Sequence, residues 1–189
     1  MKQCIAIFGA GGKTGHGWVK GLAGAGFRLL LMSDDHSELD SLIADINDSK
    51  PFAELEVFTC MLEGGWEADV IIINSEFIDD KEVANALKDV LTQKIVIRVA
   101  GLYNETSQDI NLQNLQELLP NSKVVGVFIK SKFAFEYTTD QKGQMECYLI
   151  GIDIGAVAEV AELTKYLGCI PVNLVLTENA VYNDLFLHN

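Results

Sequence analysis

The feature that most constrains this chain is the glycine-rich turn Gly9-Ala10-Gly11-Gly12-Lys13-Thr14-Gly15-His16-Gly17, which follows directly on the apolar run Cys4-Ile5-Ala6-Ile7-Phe8. Residues 3–8 have the form of a strand buried on both faces. Behind the turn, residues 14–25 carry Trp18, Val19 and Leu22 toward a sheet at helical spacing, with Gly26 placed to end the helix as a left-handed cap. Strand, glycine turn and helix in that order are the parts of a phosphate-binding crossover. The chain must reverse tightly, let its backbone approach an anion, and start a helix against the sheet. A side chain at the crowded positions would hold phosphates away, while the helix N-terminus points unpaired N–H groups at them. Two spacings overlap here: Gly9-x-x-Gly12-x-x-Gly15, and an incomplete Gly9-x-Gly11 form with Thr14 in the last glycine place. The run is not a P-loop, because Gly12-Lys13-Thr14 would need a further glycine where Ile7 stands. Gly9, Ala10, Gly11, Gly12, Lys13, Thr14 and Gly15 are therefore expected to hold the pyrophosphate of a nicotinamide dinucleotide.

The end of the second strand, residues 27–32, bears on which dinucleotide. An acidic residue there accepts hydrogen bonds from ribose hydroxyls, whereas an arginine would welcome a 2′-phosphate. The sequence offers Ser33-Asp34-Asp35, and carboxylates beside a 2′-phosphate repel it. Ser33 and Asp34 are thus candidate cofactor contacts, and NAD(H) is favoured over NADP(H). A competing reading keeps Asp34 or Asp35 only as a helix cap, and Ser33 or Asp34 is the expected cap of a helix over residues 36–47. Arg28 stands near the start of the strand, away from this end.

Strand-like and helix-like segments alternate through the rest of the chain. Further strands are expected over residues 55–59, 68–74, 94–100, 123–129, 145–150 and 170–176, and further helices over 80–91, 112–119 and 154–167. That alternation predicts an α/β fold of Rossmann type: a doubly wound, mostly parallel sheet with helices on both faces. The length of 189 residues suits a single dinucleotide-binding domain, with residues 130–189 as a smaller C-terminal extension of the same sheet. Residues 130–142 read as a hairpin or excursion beside the cleft.

A net charge of −13 argues against a nucleic-acid partner, which needs a basic footprint. It leaves a small-molecule substrate open. No apolar stretch approaches a membrane span and the N-terminus lacks a signal-peptide layout, so the expected location is the cytoplasm. Cys4, Cys60, Cys147 and Cys169 are far apart in sequence, with no ligand spacing, so no metal site is expected and each cysteine reads as a small buried hydrophobe. His16, His36 and His188 read as surface residues rather than catalysts. The apolar run of residues 172–176 and the tail residues Tyr182, Leu185, Phe186 and Leu187 would supply a homodimer surface or close the chain's own core.

Several segments together resemble the NADP oxidoreductases that depend on the deazaflavin coenzyme F-420, and their unassigned Rossmann relatives. Ile5-Ala6-Ile7-Phe8-Gly9 through Gly12, Gly15 and Gly17 is similar to that family's Gly-x-x-Gly-x-x-Gly-x-Gly turn. Ala68-Asp69-Val70-Ile71-Ile72-Ile73, followed by Glu76-Phe77, resembles its fourth strand, and Lys94-Ile95-Val96-Ile97 the next. Leu115-Gln116-Glu117-Leu118-Leu119-Pro120-Asn121-Ser122-Lys123-Val124-Val125 is similar to its approach to the sixth strand. Leu167-Gly168-Cys169-Ile170-Pro171-Val172 resembles its Leu-Gly-Phe-x-Pro-Val element. The resemblance implies hydride transfer between a nicotinamide and a second flat redox ring, with F-420 among the rings considered. Such chemistry needs orientation and proximity more than an acid or base. The chain departs from the family at Gly101-Leu102-Tyr103, at Val127-Phe128-Ile129 and at Asp34, where the family carries Asn-Pro-Leu, Ala-Phe-Asn and a basic residue. These departures set both NADP preference and deazaflavin use against the resemblance. The glycine turn is also similar to that of atypical short-chain dehydrogenases acting as flavin or biliverdin reductases.

The leading expectation is an NAD(P)-dependent oxidoreductase acting on a small flavin-like or carbonyl acceptor. Its cleft would be rimmed by Asn74, Ser75, Ala100 and Gly101 on the cofactor side and by Glu76, Phe77 and Tyr103 on the substrate side, and no catalytic residue is assigned. The alternatives are a flavin or biliverdin reductase of the short-chain type, a non-catalytic dinucleotide-sensing module, and a scaffold that has lost its cofactor.

Overall fold

The computed structural model describes residues 2–50, 52–74, 79–101, 112–129 and 145–175. Its strands form one eight-stranded sheet in the order β3-β2-β1-β4-β5-β6-β7-β8. The strands are β1 (Cys4–Phe8), β2 (Arg28–Met32), β3 (Glu54–Val57), β4 (Val70–Asn74), β5 (Ile95–Gly101), β6 (Lys123–Ile129), β7 (Met145–Gly151) and β8 (Cys169–Val175). The first six are parallel and follow the 3-2-1-4-5-6 order of a doubly wound dinucleotide fold. β7 pairs antiparallel with β6, and β8 then runs parallel to β7. The fold is the expected Rossmann-type α/β sheet.

The helices are α1 (Lys13–Leu22), α2 (His36–Ser49), α3 (Met61–Glu67), α4 (Asp80–Leu87), α5 (Leu112–Leu118) and α6 (Ile154–Lys165). Side chains alternate across each strand, so the sheet separates two cores. Ile5, Ile7, Val70, Ile72, Ile97 and Val99 face α1, α2 and α6, where Trp18, Leu22, Leu39, Leu42 and Val160 are buried. Ala6, Phe8, Ile71, Ile73, Val96 and Ala100 face the other way, onto Val83, Ala84 and Leu87 of α4 and Leu112 and Leu115 of α5. The parallel strands are apolar on both faces because helices cover both.

Several sequence expectations differ from the structure. The first helix ends at Leu22 with Ala23 as its C-cap, so Gly26 is not the cap. Gly24 and Gly26 both take positive φ, 79° and 92°, and spread the reversal into β2 over two residues. α3 was not anticipated. Its Gly64 and Gly65 are poor helix formers, but a Cβ on Gly64 would overlap the Phe58 ring, and one on Gly65 would lie 2.7 Å from Leu87 Cδ2. Cys60 is exposed, whereas Cys4, Cys147 and Cys169 are buried. His16 is half-buried rather than on the surface.

The sheet edges are blunted. Edge strand β3 carries Glu54 paired with Lys2 and Glu56 paired with Arg28, and edge strand β8 contains Pro171. Among the described residues no helix is long and apolar enough to cross a membrane.

Candidate functional site

The strand order reverses between β1 and β4, and the glycine turn opens at the carboxyl end of β1 beside that switch point. Ligands of open α/β sheets bind in this crevice. Gly9 takes φ 81°, a left-handed conformation that favours glycine. The N–H groups of Gly9 and Ala10 both donate to the Met32 carbonyl at 2.9 Å, which ties the turn to the end of β2. Gly12 N–H then donates to the Gly9 carbonyl at 3.2 Å.

Gly12 is the N-cap of α1, with no side-chain cap and no acidic residue in the first turn. The first intrahelical bond runs from His16 N–H to the Gly12 carbonyl at 2.8 Å. The N–H groups of Lys13, Thr14 and Gly15 therefore have no intrahelical acceptor, and exposed Lys13 adds a cation at the same end. Donors of this kind at a positive dipole end suit an anion.

Close packing explains the glycines. A Cβ on Gly15 would overlap the Gly9 carbonyl oxygen and the Ala10 backbone, so α1 could not start so near the turn. A Cβ on Gly11 would overlap Ser33 Oγ, and one on Gly12 would lie 3.2 Å from Asn74 Nδ2. The ends of β1, β2 and β4 thus converge on three glycines. Asn74 is buried on the α1 side of β4, in line with Val70 and Ile72.

At the end of β2 the three polar residues separate in role. Ser33 is buried, and its Oγ accepts from Asp35 N–H at 3.2 Å. Asp35 is the N-cap of α2, accepting from Glu38 N–H at 3.0 Å, so neither Ser33 nor Asp34 caps this helix. Asp34 is exposed between them. Arg28, at the opposite end of β2, pairs with Glu56 and Glu67.

Ala100 and Gly101 lie at the carboxyl end of β5, where Asn74 is in register with Val99. Ser75, Glu76, Phe77 and Tyr103 lie outside the described residues, as do residues 130–142, the tail from Tyr182 and His188. His36 is exposed. Among the described residues His16 Nε2 is buried without a hydrogen-bond partner, and burial, with Lys20 beside it, pushes the imidazole pKa down. Among the described residues no group of three His, Cys, Asp or Glu side chains is placed to hold a metal.

Sequence reasoning missed one polar pair at these strand ends. Arg98 of β5 points to the α4 side of the sheet, and its Nε lies 2.8 Å from Oδ1 of Asp80, the first residue of α4. The side chains are only 7% and 13% exposed. Among the described residues neither contacting atom makes a directed hydrogen bond and Arg98 Nη1 is buried without a hydrogen-bond partner, so the contact is one of charge. Burial pushes the Asp80 carboxyl up, opposed by Arg98, and pushes the Arg98 guanidinium down, opposed by Asp80. The signal was present in sequence as a lone arginine inside Ile95-Val96-Ile97-Arg98-Val99-Ala100.

No family model matches this chain. No curated protein matches it by sequence. Solved structures do match in fold. A protein from Arthrobacter sp. FB24, named as a candidate F-420-dependent NADP reductase, is 18% identical with a TM-score of 0.65, over 93% of this chain and 85% of its own. A pyrroline-5-carboxylate reductase from Coxiella burnetii is 15% identical with a TM-score of 0.66, over 94% of this chain and 60% of its own. An (S)-3-hydroxybutyryl-CoA dehydrogenase from Ralstonia eutropha is 14% identical with a TM-score of 0.67, over 98% of this chain and 68% of its own. The chain spans well under the full length of the last two. At these identities the likeness is one of fold.

Proposed function

We propose that this chain binds NAD(H) over residues 9–15 and is an oxidoreductase that passes a hydride between the nicotinamide and a small flat or carbonyl acceptor. The observation that carries the reading is the start of α1: an N-terminus capped by glycine alone, which the close Gly15–Gly9 approach lets begin directly against the turn. A pyrophosphate fits that cradle, with Lys13, Thr14 and Gly15 offering N–H groups and Lys13 its charge. Asp34, exposed at the β2 end and released from capping by Asp35, is the acceptor for the adenosine ribose hydroxyls. It disfavours a 2′-phosphate, so the NAD(H) preference rests on it. With the adenosine half over β2, the nicotinamide half falls over the β4 and β5 ends, beside Asn74, Ala100 and Gly101.

When bound, the nicotinamide supplies or accepts the hydride; the residues of this chain orient it and exclude water. That the solved structures of like fold include proteins named as reductases and dehydrogenases supports the class of reaction. The test is oxidation of NADH by the intact protein with flavin, deazaflavin, quinone and imine or carbonyl acceptors. Turnover with at least one is expected. Tight NADH binding without turnover across the panel would contradict the oxidoreductase reading and favour a dinucleotide sensor.

A further inference from the structure

The geometry points to the Arg98–Asp80 pair as a positioning element that holds the N-terminus of α4 against the ends of β4 and β5, and so sets the nicotinamide side of the proposed site. This inference rests on the dinucleotide reading above. Arg98 stands on a strand that is otherwise apolar, in register with Ile73 and Gly126, and two residues before Ala100 on the same face. Asp80 opens the helix that follows β4. The pair therefore bridges β5 to the start of α4 on the α4 face of the sheet, one register step short of the level at which Asn74, on the opposite face, meets the glycine turn.

The energetics argue that position, rather than stability, is what the pair supplies. A buried ion pair gives back in attraction about what its desolvation costs, and well-packed apolar replacements are often as stable. Among the described residues the contact lacks a directed hydrogen bond and Arg98 Nη1 has no hydrogen-bond partner, so its return is below that of a good pair. Apolar neighbours already pack α4: Val83, Ala84 and Leu87 are buried against the sheet. Those contacts fix the helix against the face. They begin at Val83, whereas the contact at Asp80 ties the first residue of the helix to β5.

The halves of the ligand separate this role from a structural one. ADP-ribose carries the adenosine and pyrophosphate but no nicotinamide, so the glycine turn and β2 alone hold it. Arg98→Met with Asp80→Leu removes both charges and leaves neither buried alone, so the double variant should melt within a few degrees of the unaltered protein. Its affinity for ADP-ribose should be unchanged, while its affinity for NADH falls about tenfold, toward that of ADP-ribose. Arg98→Lys, which keeps the charge, should retain most of the NADH affinity. Arg98→Met alone strands the Asp80 carboxylate and should lower the melting temperature markedly. Unchanged NADH affinity in the stable double variant would overturn the inference, as would equal losses for NADH and ADP-ribose. If the unaltered protein bound neither ligand, the dinucleotide reading itself would fail, and the two failures are thus distinct.

Discussion

At the scale of single residues, the turn's glycines differ in what they protect, and substitution tells them apart. Gly15→Ala places a carbon into the Gly9 carbonyl and Ala10 backbone, neither of which moves easily. Overpacking of this kind should cost about 2 kcal/mol and lower the melting temperature by roughly 6 °C. Gly12 has φ −76°, open to any residue, and its new methyl would lie 3.2 Å from Asn74 Nδ2 and in ordinary contact, at 3.5 Å, with the Gly9 carbonyl oxygen. Gly12→Ala should therefore fold with a loss under about 1 kcal/mol yet weaken NADH binding about tenfold or more, about 1.4 kcal/mol. Asp34 and Asp35 divide in the same way. Asp34→Ala should narrow the preference for NADH over NADPH several-fold at unchanged stability. Asp35→Ala should cost about 1 kcal/mol of stability through the lost α2 cap and leave that preference alone. Paired titrations and melts of the two variants check both statements.

This division was only partly legible in sequence. Ser33, Asp34 and Asp35 are all good capping residues, so composition alone does not choose among them. The choice is made by Gly11: its bare Cα lets Ser33 Oγ sit against the turn, where it accepts from Asp35 N–H, and Asp35 is left to cap. The pair of Arg98 and Asp80 shows the same limit. The lone arginine was visible in its strand, but its partner follows β4, and only the β4–β5 pairing brings the two together.

At the scale of elements, the parallel strands were readable because burial on both faces forces continuous apolar runs, as in Val70-Ile71-Ile72-Ile73. Helix ends were less so. Ala23 and Ala25 continue an apolar rhythm past Leu22, and α3 hides behind two glycines that its packing requires. α6 offers a test of capping by charge. Asp153 accepts from Ala156 N–H at 2.8 Å, and Lys123 lies 3.5 Å away. That backbone hydrogen bond first, and then the charge of Lys123, hold its carboxyl below the usual carboxylate range against the opposing effect of burial. A folded-state pKa that is depressed contributes stability above the unfolded value, about 3.9, and loses it as pH falls through the folded one. Asp153→Ala should therefore cost about 1 kcal/mol near neutral pH, and the gap to the unaltered protein should shrink as pH falls below the unfolded carboxylate value of about 3.9. Chemical denaturation at several pH values measures it; a gap that widened toward acid would contradict the assignment.

At the scale of the whole molecule, the sheet order and the capless start of α1 together support the proposed placement of a dinucleotide across the switch point between β1 and β4, its pyrophosphate at the glycine turn. The sheet order follows from pairing between distant segments, which periodicity does not encode, whereas the turn was legible from its place between strand and helix. The most direct measurement is calorimetric titration of the intact protein and its Gly12→Ala variant with NADH and NADPH. The account predicts one site per chain, tighter for NADH than for NADPH, and weakened about tenfold or more by Gly12→Ala in a protein that still melts cooperatively near the original temperature. Absence of binding for both nucleotides, or equal NADH affinity in the variant, would contradict it.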